Sequence, residues 1–283
     1  MDDKRLKQIL SQIKAFPTMP EAGTKMLGIL EKPDTEISEI EEVLRYDPGL
    51  TANILKLANS AYFGIPSKIG SLKQAVVVLG FKRLLQLVVA SCVSAVMDKS
   101  VAGYDLPAGD LWRHSIAVSI AAEALAKDNK KKISQDVFTP ALLHDVGKLV
   151  LGSFVNEELE AIQRIAAKGV PFVVAEHMIL GTDHAEIGAK ILTHWHFPVE
   201  VVHAVRCHHD PDSPKAVTPQ MDVVYLANLL CQPTNNGDET GDGSVELSPA
   251  VIDRLGIQLD QFEDISEQIA QWVDDLSGTL AIN

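Results

Sequence analysis

The chain has 283 residues, of which 46% are hydrophobic and 5% are aromatic. This length and apolar content suffice for a substantial buried core, so a globular protein is expected. The 38 acidic and 25 basic residues give a formal net charge of -13. This charge argues against non-specific nucleic-acid binding, which needs lysine and arginine to displace the counterions of the phosphates.

The cysteines and the apolar stretches indicate a cytoplasmic protein. Cys92, Cys207 and Cys231 are widely spaced and form no CxxC pair, so neither a disulfide framework nor a thiolate zinc site is predicted. The first residues alternate charged and apolar side chains, and no signal peptide is predicted. The most apolar stretch, Leu84 to Met97, is shorter than the roughly 20 residues that cross a bilayer and is expected to be a core helix.

The N-terminal third has the apolar spacing of short helices. Apolar residues recur every three or four positions from Leu6 to about Leu30, with a break at Pro17 and Pro20, which predicts two amphipathic helices around a proline turn. A further short helix is predicted from Ser38 to near Pro48, because acidic residues at its start suit the helix dipole.

The middle of the chain continues this pattern. The stretch Leu50 to Ser60 is helical by its spacing, and Leu72 to Leu79 and Lys82 to Met97 are apolar enough to lie in the core. A second set of helices is predicted from Leu106 through His209. Since alternating strand patterns are absent, the sequence predicts an all-α fold, a multi-helix bundle with an N-terminal helical subdomain.

The last part of the chain contains a polar interruption. The stretch QPTNNGDETGDGS follows Cys231 and has no apolar residue, which predicts a mobile loop. Beyond it an amphipathic pattern returns, and its helices are expected to pack back on the body. The predicted parts are residues 1–103, an N-terminal helical part; 104–230, a bundle with a candidate metal site; 231–247, the loop; and 248–283, the C-terminal helices.

The sharpest local signal is LLHDVGKLV, in which His144 and Asp145 adjoin at the end of an apolar run and Gly147 and Lys148 follow. An imidazole beside a carboxylate can ligate one divalent ion, and the carboxylate can bridge to a second. A nearby glycine lets a ligand come close. The His-Asp pair alone is a weak signal, because the dipeptide often arises by chance.

Further histidines provide partners for this pair. His114, His184 and the pair His208-His209 each lie on or at the end of a separate apolar helix, so a bundle can bring them to one interior point. The alternative for each is a histidine that only hydrogen-bonds a carbonyl or favours the helix C-terminal dipole. The pattern leaves open which of His208 and His209 faces the site.

The remaining histidines have no such context. His194 and His196 flank Trp195 just before a helix stop and predict a surface turn. His177 and His203 lie on helices and are not expected to be ligands. Cys207 is interpreted as a small buried hydrophobe in preference to a thiolate ligand.

The N-terminal half resembles a known family. It contains FPTMPEAGTKMLGIL and then DPGLTANILKLANSAYFG, which closely resemble the HDOD family, a bacterial output domain related to the HD phosphohydrolases. The resemblance runs from about Phe16 to Leu230, and the block Asn59-Ser60-Ala61 with Gly80 is highly specific. The block itself indicates no chemistry.

The C-terminal half resembles the HD superfamily of metal-dependent phosphohydrolases, including the HD-GYP proteins. There a histidine, a His-Asp pair and a later aspartate hold the metal, and His114, His144 and Asp145 match the first three. Asn228 replaces the aspartate, so it offers a carbonyl oxygen without a charge, which weakens a metal site and disfavours hydrolysis. With the additional ligands of binuclear relatives, the implied ligand set is His114, His144, Asp145, His184, His208, His209 and Asn228.

The resemblance implies three alternative functions. The first is a stand-alone regulatory module that acts through a protein partner and holds a divalent metal, with iron, manganese, zinc and nickel equally suited to the ligands. The second is a metal-dependent phosphohydrolase of nucleotides or cyclic dinucleotides, in which Asp145 serves catalysis and Lys148 contacts the phosphoester. The GYP stretch of cyclic-dinucleotide enzymes is missing. The third is a sensor that binds metal or nucleotide without turnover.

Overall fold

The computed structural model describes residues 3–30, 36–44, 47–128, 133, 136–213, 217–232 and 247–256. Within these ranges the chain forms α-helices and two short 3-10 helices, and no β-strand. The predicted all-α fold is therefore confirmed.

The N-terminal helices follow the predicted order, with one helix on each side of the proline turn. They are α1 (Asp3–Ala15), α2 (Glu21–Leu30), α3 (Ile37–Leu44), α4 (Pro48–Ala58) and α5 (Leu72–Met97), with 3-10 helices at Ala61–Phe63 and Ala102–Tyr104.

The second set of helices carries the histidines. They are α6 (Asp110–Asp128), α7 (Phe138–Leu143), α8 (Lys148–Glu157), α9 (Leu159–Ala166), α10 (Phe172–Leu180), α11 (His184–His194), α12 (Val199–Arg206), α13 (Pro219–Cys231) and α14 (Pro249–Leu255). Helix α13 packs on α6, and α11 packs on α12 and α8, so the helices that carry the histidines share one core.

Helix α5 is a core helix. By length and composition it is the one helix in the described ranges that passes the test for a membrane span, yet 56% of its most apolar window is buried. Leu84, Leu87, Val88 and Val89 are at most 2% exposed. Burial of these side chains within the bundle agrees with the predicted core helix.

Gly80 divides α5 at the predicted boundary between two apolar stretches. Its φ of 80° and ψ of 166° are not helical, and this backbone region is essentially restricted to glycine. No atom outside the adjacent residues lies within 4 Å of a Cβ built at this position, so only the backbone conformation requires glycine.

We expect Gly80→Ala to lower the free energy of unfolding by about 1–3 kcal/mol, the cost of holding alanine in that conformation. Gly28 on α2 also has nothing within 4 Å of a built Cβ and has no positive φ. Gly28→Ala should therefore raise stability by up to about 1 kcal/mol. Urea unfolding measures both variants, and equal effects would contradict the backbone argument.

The Asn59 amide explains part of the family-specific block. Its Nδ2 donates to the carbonyls of Leu55, at 2.6 Å, and Ile69, at 2.9 Å. Its Oδ1 accepts from the Ile69 N–H at 2.8 Å. One side chain thereby closes the connection between α4 and α5, so the block acts through structure at this position.

The C-terminal part is described only in part. Arg254 on α14 donates through Nε and NH2 to the two oxygens of Asp222 on α13, at 2.8 and 2.7 Å. Helix α14 thus packs on the bundle. Most of the predicted mobile loop and the segment after Gly256 lie outside the described residues, and the division into four parts stays a prediction.

Candidate metal centre

The predicted ligands converge from five places in the bundle. Most lie where a helix begins or ends, which allows side chains from different helices to meet. They are His114 on α6, His144 and Asp145 after α7, His184 at the start of α11, His208 and His209 after α12, and Asn228 on α13. The structure therefore brings together every residue of the predicted set.

The Asp145 carboxylate lies at the centre, and its Oδ1 faces one group of imidazoles. Oδ1 is 3.5 Å from His184 Nε2 and 3.7 Å from His208 Nε2. Asp145 is 1% exposed, and Oδ1 has no hydrogen-bond partner among the described residues. A buried carboxylate oxygen without a partner is costly, so it points to a missing cation or donor.

The other oxygen, Asp145 Oδ2, already has a cationic partner. Lys148 Nζ donates to it at 2.8 Å. His144 Nε2 lies 3.2 Å away and His114 Nε2 lies 3.7 Å away. Lys148 is thus drawn into the cluster and is not a solvated side chain past a helix end.

Two imidazoles have their ring orientation fixed by backbone carbonyls. His144 Nδ1 lies 2.7 Å from the carbonyl of Ala141, and His208 Nδ1 lies 2.6 Å from that of Val205. These contacts favour the tautomer with hydrogen on Nδ1 and leave Nε2 as a free acceptor or ligand. Both Nε2 atoms are buried without a hydrogen-bond partner. Bonding to a carbonyl and serving as a ligand are therefore compatible here.

The question left open for His208 and His209 is answered by geometry. His184 Nδ1 lies 2.8 Å from Glu176 Oε2, which orients the ring, while His184 Nε2 lies 2.8 Å from His209 Nε2. One carboxylate oxygen and the three ring nitrogens of His184, His208 and His209 lie within 4.8 Å of one another. Both members of the pair therefore face the cluster.

Asn228 closes the opposite end of the cluster. Its Oδ1 lies 3.1 Å from His114 Nε2, so in this orientation the imidazole donates its Nε2 hydrogen to the amide. Asn228 is 4% exposed. An imidazole nitrogen that carries a hydrogen is not a metal ligand, which separates His114 from the unpartnered nitrogens of the other histidines.

Burial and neighbouring charges shift the pKa values in the cluster. Burial, together with the nearby His144, lowers the pKa of His114 to about 4. Burial raises the pKa of the Asp145 carboxyl, but His144, Lys148 and His184 outweigh this effect and hold it well below its usual value. Burial also keeps the pKa of His208 well below its usual value. The Glu176 carboxylate outweighs burial and raises the pKa of His184. The cluster therefore combines an anionic Asp145 carboxylate with imidazoles of unequal basicity.

These shifts predict acid sensitivity of the metal-free protein. The pKa of His114 is near 6.5 in the unfolded chain and about 4 in the fold, so the unfolded chain takes up a proton first as pH falls. We expect His114 alone to cost about 2–3 kcal/mol of unfolding free energy between pH 7 and 4.5. Urea unfolding after chelation measures the slope. His114→Gln should reduce it, whereas His203→Gln, at an exposed position, should leave it unchanged.

Two residues of the site, Glu176 and Tyr104, were not identified from the sequence. Glu176 is 0% exposed and orients His184, and Tyr104 places its ring 5.3 Å from Lys148 Nζ. A carboxylate inside the apolar run FVVAEHMIL was the available signal for Glu176. Gly147 was interpreted as room for a ligand, but a Cβ built there lies 1.9 Å from the carbonyl oxygen of His184. The glycine admits the backbone of α11.

The other histidines lie outside the cluster. All four are exposed: His177, His194, His196 and His203. That they are not ligands stays a prediction. His177 lies beside acidic residues: its Nδ1 is 3.0 Å from Asp183 Oδ2, and His177, Asp183 and Glu186 form a group that could hold a metal ion. Asp183 also caps α11 by accepting from the Glu186 N–H at 2.8 Å. Cys207 is half-buried, and burial raises the pKa of its thiol, so it matches the interpretation as a small hydrophobe.

The donor set fits a divalent transition metal. Three imidazole nitrogens and one carboxylate oxygen are a common ligand combination for such ions. A Glu176 carboxylate behind a ligating imidazole is the outer arrangement that such sites use to orient the ring. An ion that contacted both His208 Nε2 and Asp145 Oδ1 would satisfy these two unpartnered atoms.

Comparisons with known proteins agree with this architecture. A protein of Treponema pallidum (strain Nichols), named only as uncharacterized, is 28% identical over 229 residues, which is 80% of this chain and 44% of that protein. The chain thus spans less than half the length of this curated relative.

Solved structures cover nearly the whole chain. A candidate phosphohydrolase from Shewanella amazonensis SB2B is 27% identical, with a TM-score of 0.75 and coverage of 96% of this chain and 98% of that one. An HDOD domain protein of unknown function from Geobacter sulfurreducens is 25% identical, with a TM-score of 0.77 and coverage of 97% and 98%. The HDOD domain profile matches residues 16–211. The chain belongs to the HDOD domain family.

Proposed function

We propose that this chain is a signalling module of the HDOD family that binds a divalent transition metal at the cluster around Asp145 and acts through a protein partner. Iron, manganese, zinc and nickel remain equally suited to the donors. The observation that carries the proposal is the convergence of buried groups that lack partners, namely Asp145 Oδ1 with the Nε2 atoms of His144 and His208.

The chain's own residues supply what such a site needs. Backbone carbonyls orient His144 and His208, and Glu176 orients His184. The bound ion would supply positive charge that compensates Asp145 in the interior. Because binding is expected only in the folded chain, the ion would also stabilise the fold.

Metal content tests the proposal. Elemental analysis of protein purified without chelator should give a near-stoichiometric transition metal, and Asp145→Ala and His208→Ala should both lose most of it. His203→Ala removes an exposed imidazole outside the cluster and should keep the wild-type content. Wild-type protein that remains free of transition metal after incubation with each candidate ion would contradict the proposal.

A second candidate function is phosphoester hydrolysis. It is supported by the position of Lys148 beside the cluster and by the similarity to the candidate phosphohydrolase from Shewanella amazonensis. The cluster around Asp145 would hold the ion, the ion would supply an activated water for hydrolysis when bound, and Lys148 would contact the phosphate. The amide of Asn228 in place of a carboxylate, and the pairing of Lys148 with Asp145, favour the regulatory alternative. Release of phosphate from a nucleotide, or conversion of a cyclic dinucleotide to a linear dinucleotide or mononucleotides, by the metal-loaded protein would reverse that preference.

The proposal places the module in the cytoplasm. Cys92, Cys207 and Cys231 are all free thiols, which suits a reducing compartment. A net charge of -13 argues for a protein partner over a nucleic acid. A metal- or nucleotide-binding sensor without turnover is the third alternative, and nucleotide titration of the metal-loaded protein distinguishes it.

A further inference from the structure

We infer that the two oxygens of Asp145 divide the cluster into an open half and a closed half, and that the site takes one divalent ion, in the open half. This inference rests on the proposed metal-binding function. The open half comprises Asp145 Oδ1 and the Nε2 atoms of His184, His208 and His209. The closed half comprises Asp145 Oδ2 with His114, His144, Lys148 and Asn228.

In the open half, the carboxylate oxygen Asp145 Oδ1 has no hydrogen bond from Lys148, which donates to Oδ2. Its four donor atoms lie within 4.8 Å of one another, and Asp145 Oδ1 and His208 Nε2 have no hydrogen-bond partner in the described ranges. The His184 and His209 Nε2 atoms approach to 2.8 Å, so either one ring donates a hydrogen to the other or both nitrogens bind one cation. An ion shared by these groups would satisfy all four atoms at once.

The closed half also brings ligand atoms of His114, His144 and Asp145 within 4.8 Å of one another, but it already contains a cation. Lys148 Nζ donates to Asp145 Oδ2 at 2.8 Å, at the same oxygen that faces His144 and His114. A second divalent ion at this oxygen would have to displace the ammonium group or lie beside it. Like charges in a buried site repel strongly, because little water screens them.

The amide completes the closure. Asn228 Oδ1 lies 3.1 Å from His114 Nε2, so the imidazole uses its Nε2 hydrogen on the amide and has no lone pair there for an ion. An aspartate at 228 would instead bring a second negative charge. Lys148 and Asn228 therefore act together. The ammonium group compensates the negative charge at Asp145 Oδ2, and the neutral amide adds no negative charge that a second ion would have to compensate.

Native mass spectrometry of the chelator-stripped protein titrated with Mn²⁺ or Zn²⁺ tests the inference. We expect one ion per wild-type chain and two ions in the double variant Lys148→Met, Asn228→Asp. His208→Ala should weaken ion binding about 100-fold, whereas His114→Ala should change it less than about 3-fold. The electron paramagnetic resonance spectrum of the Mn²⁺ form should show an isolated ion and needs no variant.

The outcomes separate the inference from the proposed function. Two ions in the wild type, a magnetically coupled pair, or binding that depends on His114 and not on His208 would overturn the inference while metal binding stands. A folded double variant that still takes one ion would also overturn the closure by Lys148 and Asn228. A wild-type chain that takes no ion would overturn both.

Discussion

Gly147→Ala is expected to cost at least about 4 kcal/mol of unfolding free energy, the range of the most disruptive single substitutions. A Cβ at this position lies 1.9 Å from the carbonyl oxygen of His184 and 2.6 Å from the backbone N of Gly188. Both contacts are with backbone atoms, so no side chain can rotate away. Helix α11 would have to move, and it carries His184.

Gly188, which faces Gly147 across the contact with α11, provides a matched control. A Cβ on Gly188 meets Val205 Cγ1 at 3.1 Å and the backbone N of Gly147 at 3.4 Å, so Gly188→Ala should cost only about 1–2 kcal/mol. Urea unfolding followed by circular dichroism compares the two variants, and metal titration reports the displacement of His184. A Gly147→Ala protein with wild-type stability would show that the helices do not approach so closely.

Glu123→Gln is the substitution with the next largest expected effect, a loss of about 2–3 kcal/mol. Glu123 on α6 accepts hydrogen bonds from the Tyr62 hydroxyl and from Arg83 NH1. It also accepts from Gln86 Nε2 at 3.2 Å. The Glu123 side chain is 15% exposed and that of Arg83 is 36% exposed, so glutamine would leave a partly exposed guanidinium without its anion.

A double-mutant cycle with Arg83→Met isolates the ion pair. If the ion pair accounts for the effect, Arg83→Met should lower the unfolding free energy clearly less in the Glu123→Gln background than in the wild type. Strict additivity would mean that the two groups do not interact. The conservative variant Tyr62→Phe tests the hydroxyl separately and should cost about 1 kcal/mol.

This network gives the family-specific block a second structural role. Tyr62 follows the Asn59-Ser60-Ala61 block, and its hydroxyl joins α6, the helix that carries His114. The Arg83 guanidinium lies 5.8 Å from the Phe63 ring centroid, a cation–π distance. A charged contact thus joins the N-terminal helices to α6, one of the helices that carry the histidine cluster.

The sequence by itself determined the helical character of the chain and many helix ends. Spacing of apolar residues is a local property, and proline and glycine interrupt a helix wherever they stand, so the turn before α2 and the break at Gly80 were predictable. The chemical types of the site residues were also readable, because an imidazole and a carboxylate adjoin at 144 and 145.

Only the tertiary structure decided how those residues are used. That His208 and His209 both face the cluster, that Glu176 orients His184, and that Lys148 and Asn228 occupy one side of Asp145 all depend on contacts between distant helices. Helical periodicity fixes which face of a helix is apolar, but not the distance or rotation between two packed helices. The sequence does not distinguish the two oxygens of the Asp145 carboxylate. Only packing places Oδ2 at Lys148 and Oδ1 near the imidazoles of His184 and His208.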